Sequence, residues 1–324
     1  MDTQIRGIHH VTAMTSNSRK IYRFFTDLLG LRLIKKTVNQ DDIETYHLYF
    51  TDDLGTAGTD MTFFDFPMIP KGTKGTNSIS RTSFRVPSDA ALKWWAERFD
   101  AHEVAHGQIG ERFGKKYLTF EDFDQQSYQL ISDENNTGVA AGTPWKNSNV
   151  PSDMAIIGLG PVFITVRDTQ QLDQVLVAGL GFVKSATAAS MSLYEVAAGG
   201  NGASLIMIHD EDAPDAQEGF GNIHHLALRV ADKAALEWWI KRINQLALPN
   251  SGFVERFYFA SEYFRAAPNV LFELATDGPG FFQDEPYETA GEILSLPPFL
   301  EAKRAAIEDY VIELDTSDAN QKRQ

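Results

Sequence analysis

The sequence predicts an α+β protein assembled from four βαβββ modules, and three observations carry that prediction. The opening segment has hydrophobic spacing that reads strand, helix, strand, strand, strand over residues 5–66. A gap-free internal match at an offset of 144 residues (78 to 222) aligns 78–86 with 222–230. The same register aligns Trp94-Trp95 with Trp238-Trp239 and Glu111-Arg112-Phe113 with Glu255-Arg256-Phe257. A second register of 151 residues (7 to 158) sets Gly7-Ile8 on Gly158-Leu159 and Leu29-Gly30-Leu31 on Leu180-Gly181-Phe182.

Taken in order, the first module is a strand at 7–14, then a helix with Ser18 as its cap and Ile21, Phe24, Phe25, Leu28 and Leu29 on its apolar stripe, ended by Gly30. Strands follow at 32–38, 45–50 and 60–66, rich in aromatic and β-branched residues and separated by Asp, Gly and Thr turns. A loop at 67–77 leads to the second module, 78–131. The registers place the third at 157–208 and the fourth at 222–276. The chain thus divides into 1–131 and 157–276, two modules each. A linker at 132–156, rich in Asn, Gly, Ser, Pro and Thr, joins them. Residues 277–324 read as an arm, a helix near 299–314 with Leu300, Ile307, Val311 and Leu314 packing across a domain, and a frayed end at 315–324. The paired tryptophans recur on equivalent helices, which is the signature of core packing.

Composition limits the function classes. The hydrophobic content is 43% and no apolar run reaches the ~20 residues of a membrane helix, so a globular cytoplasmic protein is expected. A formal charge of −15 argues against nucleic acid or an anionic membrane as partner. With no cysteine in the chain, any transition metal must be held by imidazole and carboxylate. A homo-oligomer is compatible with the pattern, because an interface and a core read alike.

The chemistry-bearing residues are two histidine pairs on apolar strands. Alternation puts Val11 and Ala13 on the packed face of the first strand, with His10, Thr12 and Met14 facing a cavity. In the later copy Leu226, Leu228 and Val230 pack, while His225, Ala227 and Arg229 face the cavity and His224 points away unless the strand bends. Carried through the registers, His10 falls on Pro161, His225 on Arg81 and Glu273 on Gln129. The first and fourth modules therefore differ from their partners by two imidazoles and one carboxylate. Glu273 stands between Phe272 and Leu274 on an apolar strand, and such a carboxylate needs a cation. Arg256 or Arg265 is one choice and a metal is the other. A facial set of His10, His225 and Glu273 leaves coordination positions free, which suits Fe(II) and oxygen chemistry, with Mn(II) second.

The four modules, the opening GIHHVTA, the strand GNIHHLALRV and the segment ERFYFASEYFRAAPNVLFELATDGPGF resemble the vicinal-oxygen-chelate superfamily, and within it ring-cleaving dioxygenases related to hydroquinone 1,2-dioxygenase. The resemblance implies two domains of half-barrel sheets, with the first and last modules paired around one Fe(II) held by His10, His225 and Glu273. The middle modules would then form a metal-free half. It also implies supporting roles for His9, Thr12, His224, Arg256 and Tyr263, with O2 and a small hydroquinone- or catechol-type aromatic as substrates. His224 and Tyr263 are the acid–base candidates, and Arg256 would stabilise enolate charge or form an ion pair. The last module departs from the family pattern at Ala260, Glu262 and Asn269, which bears on substrate range. Two other readings stay open. One is a glyoxalase-like isomerase or thiol transferase that recruits Asp65, the first module's counterpart of Glu273, as a fourth ligand. The other is a metal-free module that binds a quinone or drug.

Overall fold

The computed structural model describes residues 2–323. Its first unit comprises β1 (Ile8–Met14), α1 (Ser18–Arg23), β2 (Arg32–Val38), β3 (Tyr46–Thr51) and β4 (Asp60–Phe64). The second holds β5 (Ser78–Val86), α2 (Asp89–Ala101), β6 (Gly110–Arg112), β7 (Lys115–Glu121) and β8 (Ser127–Ser132). In the third are β9 (Val162–Val166), α3 (Thr169–Gln174), β10 (Val183–Ala188), β11 (Met191–Glu195) and β12 (Ser204–His209). The fourth contains β13 (Ile223–Val230), α4 (Lys233–Gln245), β14 (Val254–Glu255), β15 (Ala260–Ala267) and β16 (Val270–Thr276), and the arm carries α5 (Arg304–Tyr310).

Both registers survive in the local structure. In units one and three a short helix runs into a π-helical turn, Phe24–Leu28 and Val175–Gly179, whereas α2 and α4 are uninterrupted helices of 13 residues. Each of the helices α1 to α4 starts where a polar side chain takes up an otherwise unpaired amide. For α1 the cap is Asn17, accepting from Lys20 N at 2.9 Å, and Ser18 is the first helical residue rather than the cap. Gly30 closes this stretch at φ +73°, where a Cβ would lie 2.3 Å from Ser148 Oγ.

The strands form two curled half-barrel sheets of eight strands each, an α+β architecture. One sheet runs β14-β15-β16-β13-β1-β4-β3-β2, joining the fourth unit to the first; the other runs β10-β11-β12-β9-β5-β8-β7-β6, joining the third to the second. Residues 1–131 and 157–276 thus each give one unit to each sheet. Antiparallel pairing of β1 with β13 brings the two histidine pairs side by side. One continuous apolar cluster lies behind both sheets, from Val11, Phe25 and Leu226 to Phe84, Trp95 and Leu176. The second tryptophan of each pair is a core residue, Trp95 Nε1 donating to Met154 O at 2.7 Å and Trp239 Nε1 to Thr3 O at 2.8 Å, whereas Trp94 is half-buried and Trp238 is exposed.

Residues 133–156 contain no helix or strand, yet Trp145 and Val150 are buried. The C-terminal arm straps across β2. Lys35, wholly buried, binds Glu285 and, at 2.7 Å, Asp284. The terminal helix is shorter than its apolar spacing suggests, because the chain leaves helical geometry at Val311. The frayed end also fails to appear over 315–323. Asp318 accepts from Tyr22 Oη at 2.6 Å, Arg323 donates to the same hydroxyl at 2.7 Å, and Thr316 and Ala319 are fully buried. Gln324 lies outside the described residues.

Candidate metal centre

Two β-bulges shape the site. Along the β1–β13 ladder, Ile8 faces Leu228 but His10 faces Ala227, so His9 is an extra residue on β1; Thr12 faces His225 but Ala13 faces Ile223, so His224 is extra on β13. A bulge kinks its strand and re-aims the neighbouring side chain, here at the first histidine of each pair. The bend turns His224 into the cavity, against the simple alternation that pointed it away.

The next residue of each pair lies on the concave face, and β16 adds Glu273 opposite Ala227. His10, His225 and Glu273 are all buried and meet at one point. The distances are 3.2 Å between the two Nε2 atoms, 3.1 Å from Glu273 Oε2 to His10 Nε2 and 3.0 Å to His225 Nε2. Two ligands at right angles on an ion about 2.1 Å away lie about 3.0 Å apart, so this spacing fits one face of an octahedron. Glu273 Oε1 accepts from Ser261 Oγ at 2.5 Å, whereas Oε2 is buried with no aligned donor. A buried carboxylate oxygen without a donor, framed by two imidazole nitrogens, fits a divalent cation.

The protonation pattern supports that fit. Burial pushes the His9 imidazolium down to about 3, so the ring is neutral. Its Nε2–H donates to Thr276 O at 3.1 Å, leaving Nδ1 to accept from His10 Nδ1–H at 2.9 Å. His10 therefore turns Nε2, not Nδ1, inward, an orientation set by an outer partner. The second pair repeats the device. Burial and the His225 charge hold His224 near 4, and its Nδ1 lies 2.7 Å from His225 Nδ1. With no ion bound, burial opposes charge on all three groups. The close approach of Glu273 outweighs it at His10, raising that imidazolium, while His225 is lowered and the His10 charge holds Glu273 well below the carboxylate range. The apo site thus shares one proton between His10 and Glu273, which a metal must displace.

A cavity of about 520 Å³ opens in front of this face, walled by Phe64, Phe259, Leu271 and Tyr49, apolar enough and large enough for a single aromatic ring. Tyr263 lies edge-on to His225, ring centroids 5.7 Å apart, and accepts from Arg256 Nε at 3.1 Å. Arg256 also binds Asp41 at 2.7 Å, so it is at once an ion-pair partner and part of the cavity wall. Burial, with the Glu273 charge, pushes the Tyr263 phenol up, so it stays protonated and can donate. Thr12 Oγ1 stands 3.0 Å from His225 Nε2. All eight residues singled out from the sequence therefore sit at or directly behind one cavity, and Arg265 points outward, exposed.

Asp65 takes no part. The register sets Thr12 beside Thr62 and Ala227 beside Glu273, so Thr62, not Asp65, is the first unit's counterpart of the carboxylate. Asp65 instead accepts from Tyr46 N at 2.7 Å. Sequence reading missed His47, which lines the cavity with Nε2 2.9 Å from Thr62 Oγ1 and Nδ1 2.7 Å from Tyr49 Oη. A signal existed: Leu48 and Phe50 are apolar, which puts His47 and Tyr49 on the opposite face of β3.

Residues 7–126 match the sequence profile of the Glyoxalase/Bleomycin resistance protein/Dioxygenase superfamily. The chain is 40% identical over 310 residues to MhqA of Bacillus subtilis (strain 168), a protein named as a ring-cleaving dioxygenase, with 94% of this chain and 98% of that one covered. It is 30% identical over 306 residues to the chlorohydroquinone/hydroquinone 1,2-dioxygenase of Sphingobium indicum, covering 92% and 93%. Among solved structures, one from Bacillus subtilis described as a dioxygenase superposes with a TM-score of 0.88 at 32% identity, covering 96% of this chain and 98% of that one. Glyoxalase I from Zea mays, at 13% identity and a TM-score of 0.59, covering 84% and 92%, shares the fold. Sequence, architecture and the paired half-barrels agree, and the chain belongs to the Glyoxalase/Bleomycin resistance protein/Dioxygenase superfamily.

Proposed function

We propose that this chain is an Fe(II)-dependent dioxygenase that cleaves a hydroquinone- or catechol-type ring, with His10, His225 and Glu273 as the metal ligands. The observation that carries the reading is the donor triangle itself: three ligand atoms about 3 Å apart on one side, an aromatic-sized cavity on the other. The names of relatives that match along nearly their whole length support it. Iron bound there would supply the Lewis acidity that lowers a phenol's pKa and the redox chemistry that ground-state O2 requires; Mn(II) suits the same donors.

The remaining roles belong to the chain's own residues. His9 and His224 fix the tautomers of the two ligand imidazoles. Phe259, 5.3 Å from the His10 ring, and Phe64 exclude water and offer faces for a substrate ring. His224, neutral and at the cavity wall, holds its proton on Nε2 and is the group placed to exchange one with a substrate hydroxyl. Tyr263, kept protonated, donates to a ring oxygen, and Arg256 behind it steadies the phenol and any negative charge that develops.

Anaerobic loading with Fe(II), followed by oxygen-electrode measurements with hydroquinones and catechols, tests the assignment. The expected result is uptake of about one O2 per ring lost, with the aromatic absorbance replaced by that of an opened product. Iron binding without oxygen consumption by any of these diols would remove the dioxygenase reading.

A further inference from the structure

The wall of the cavity formed by β3 and β4 contains a run of polar contacts that none of the roles above uses. Tyr49 Oη lies 2.7 Å from His47 Nδ1, His47 Nε2 2.9 Å from Thr62 Oγ1, Thr62 Oγ1 2.7 Å from Thr12 Oγ1, and Thr12 Oγ1 3.0 Å from His225 Nε2. All the participating side chains except His47 are under 5% exposed, and His47 is packed between Tyr49 and Phe64 with ring centroids 4.0 and 4.4 Å away. Polar groups this deep are rarely left unpaired, so each proton in the run has an assignable place.

The direction follows from its outer end. Among the described residues the Tyr49 hydroxyl has a single hydrogen-bond partner, His47 Nδ1. A buried phenol must place its proton somewhere, so Tyr49 donates and Nδ1 accepts. With Nδ1 accepting from Tyr49, the ring proton of His47 sits on Nε2 and is donated to Thr62, and burial keeps the imidazole neutral. Thr62, having accepted, donates to Thr12. The Thr12 hydroxyl proton is then left pointing at the space beside His225 Nε2, where in the apo chain it meets that nitrogen's lone pair. This agrees with the tautomer that His224 imposes on His225 through Nδ1.

We propose that Tyr49, His47, Thr62 and Thr12 form a one-way hydrogen-bond relay, oriented by His47 as its positioning residue, that presents a fixed hydroxyl donor to the oxygen atom of a ligand bound beside His225. Once the His225 lone pair is engaged by a metal, the Thr12 proton is free for that oxygen, and a donor preset in direction stabilises developing negative charge without reorganisation. The inference rests on the metal-centre reading for its purpose but not for its geometry.

Two measurements test it independently. In the metal-free chain labelled with 15N, long-range proton–nitrogen spectra should show His47 as the Nε2–H tautomer, with Nδ1 unprotonated. In Tyr49→Phe, where Nδ1 loses its donor, that nitrogen's resonance should shift and the second tautomer appear. In the iron-loaded enzyme, Thr62→Val, nearly isosteric and away from the cavity surface, should lower kcat about tenfold or more while KM and metal content stay at wild-type levels, and Thr62→Ser should restore it. An Nδ1–H tautomer or an imidazolium at His47 in the wild-type chain overturns the relay, and so does a wild-type kcat in Thr62→Val. Lack of oxygen uptake by the wild-type enzyme overturns the dioxygenase reading instead, and the tautomer then decides the relay alone.

Discussion

Glu273→Gln is expected to leave a folded chain that no longer retains metal. The expectation of folding comes from the molecule itself, because Gln129 occupies the equivalent place on β8 and is buried to the same degree. There the amide oxygen accepts from Arg112, and the second unit keeps its strand pairing around it. At the proposed metal centre the consequence differs, since Glu273 would bring the only formal negative charge of the three donors, on an atom with no other partner. Losing an outer partner of a metal ligand typically costs 10–100-fold in affinity; losing an anionic ligand outright should exceed that, on the order of 10³-fold or more. Iron titration of the apo variant, with circular dichroism to verify the fold, measures the effect. Affinity within tenfold of wild type would remove Glu273 from the ligand set.

Asp60→Asn is expected to change how stability depends on pH. Asp60 faces His10 across the parallel β1–β4 pair, is almost wholly buried, and neither of its oxygens has a hydrogen-bond partner. Burial raises its carboxyl to about 8; the Asp52 and Glu273 charges add to the rise, and His10 only partly opposes it. The unfolded chain has an ordinary Asp pKa of about 3.9, so between that value and about 8 the native state binds more protons than the unfolded state. Stability of the metal-free protein therefore falls as pH rises through this window, by up to about 1.4 kcal/mol per pH unit from this group alone. An amide does not ionise and abolishes that slope. Thermal midpoints of apo wild type and Asp60→Asn should thus diverge in the variant's favour from pH 5 to pH 8. Parallel curves would mean that Asp60 ionises freely in the folded protein.

Much of this was readable before any coordinates, for identifiable reasons. Strand alternation is a property of a single segment, so His10, His225 and the packed faces of β1 and β13 follow from their own neighbours. The internal repeats supplied the comparison that singled out Glu273 against Gln129. What escaped depends on relations between segments. Thr62 rather than Asp65 corresponds to Glu273 because of the parallel register of β4 on β1, which neither strand encodes alone. His224 faces the cavity because of a bulge, an extra residue visible only when two strands are paired. The end of the chain, polar and short of large apolar residues, looked loose because its anchors, Tyr22 and Asn147, lie far away in sequence.

Counting metal in the purified chain, set against the same count in His10→Ala, His225→Ala and Glu273→Gln, bears most directly on the proposed centre. One ion per wild-type chain, lost in each of the three variants and regained by the wild type after chelation and anaerobic Fe(II) loading, is the predicted outcome. A wild-type chain that takes up no divalent metal under those conditions, or variants that keep it at full stoichiometry, would contradict it.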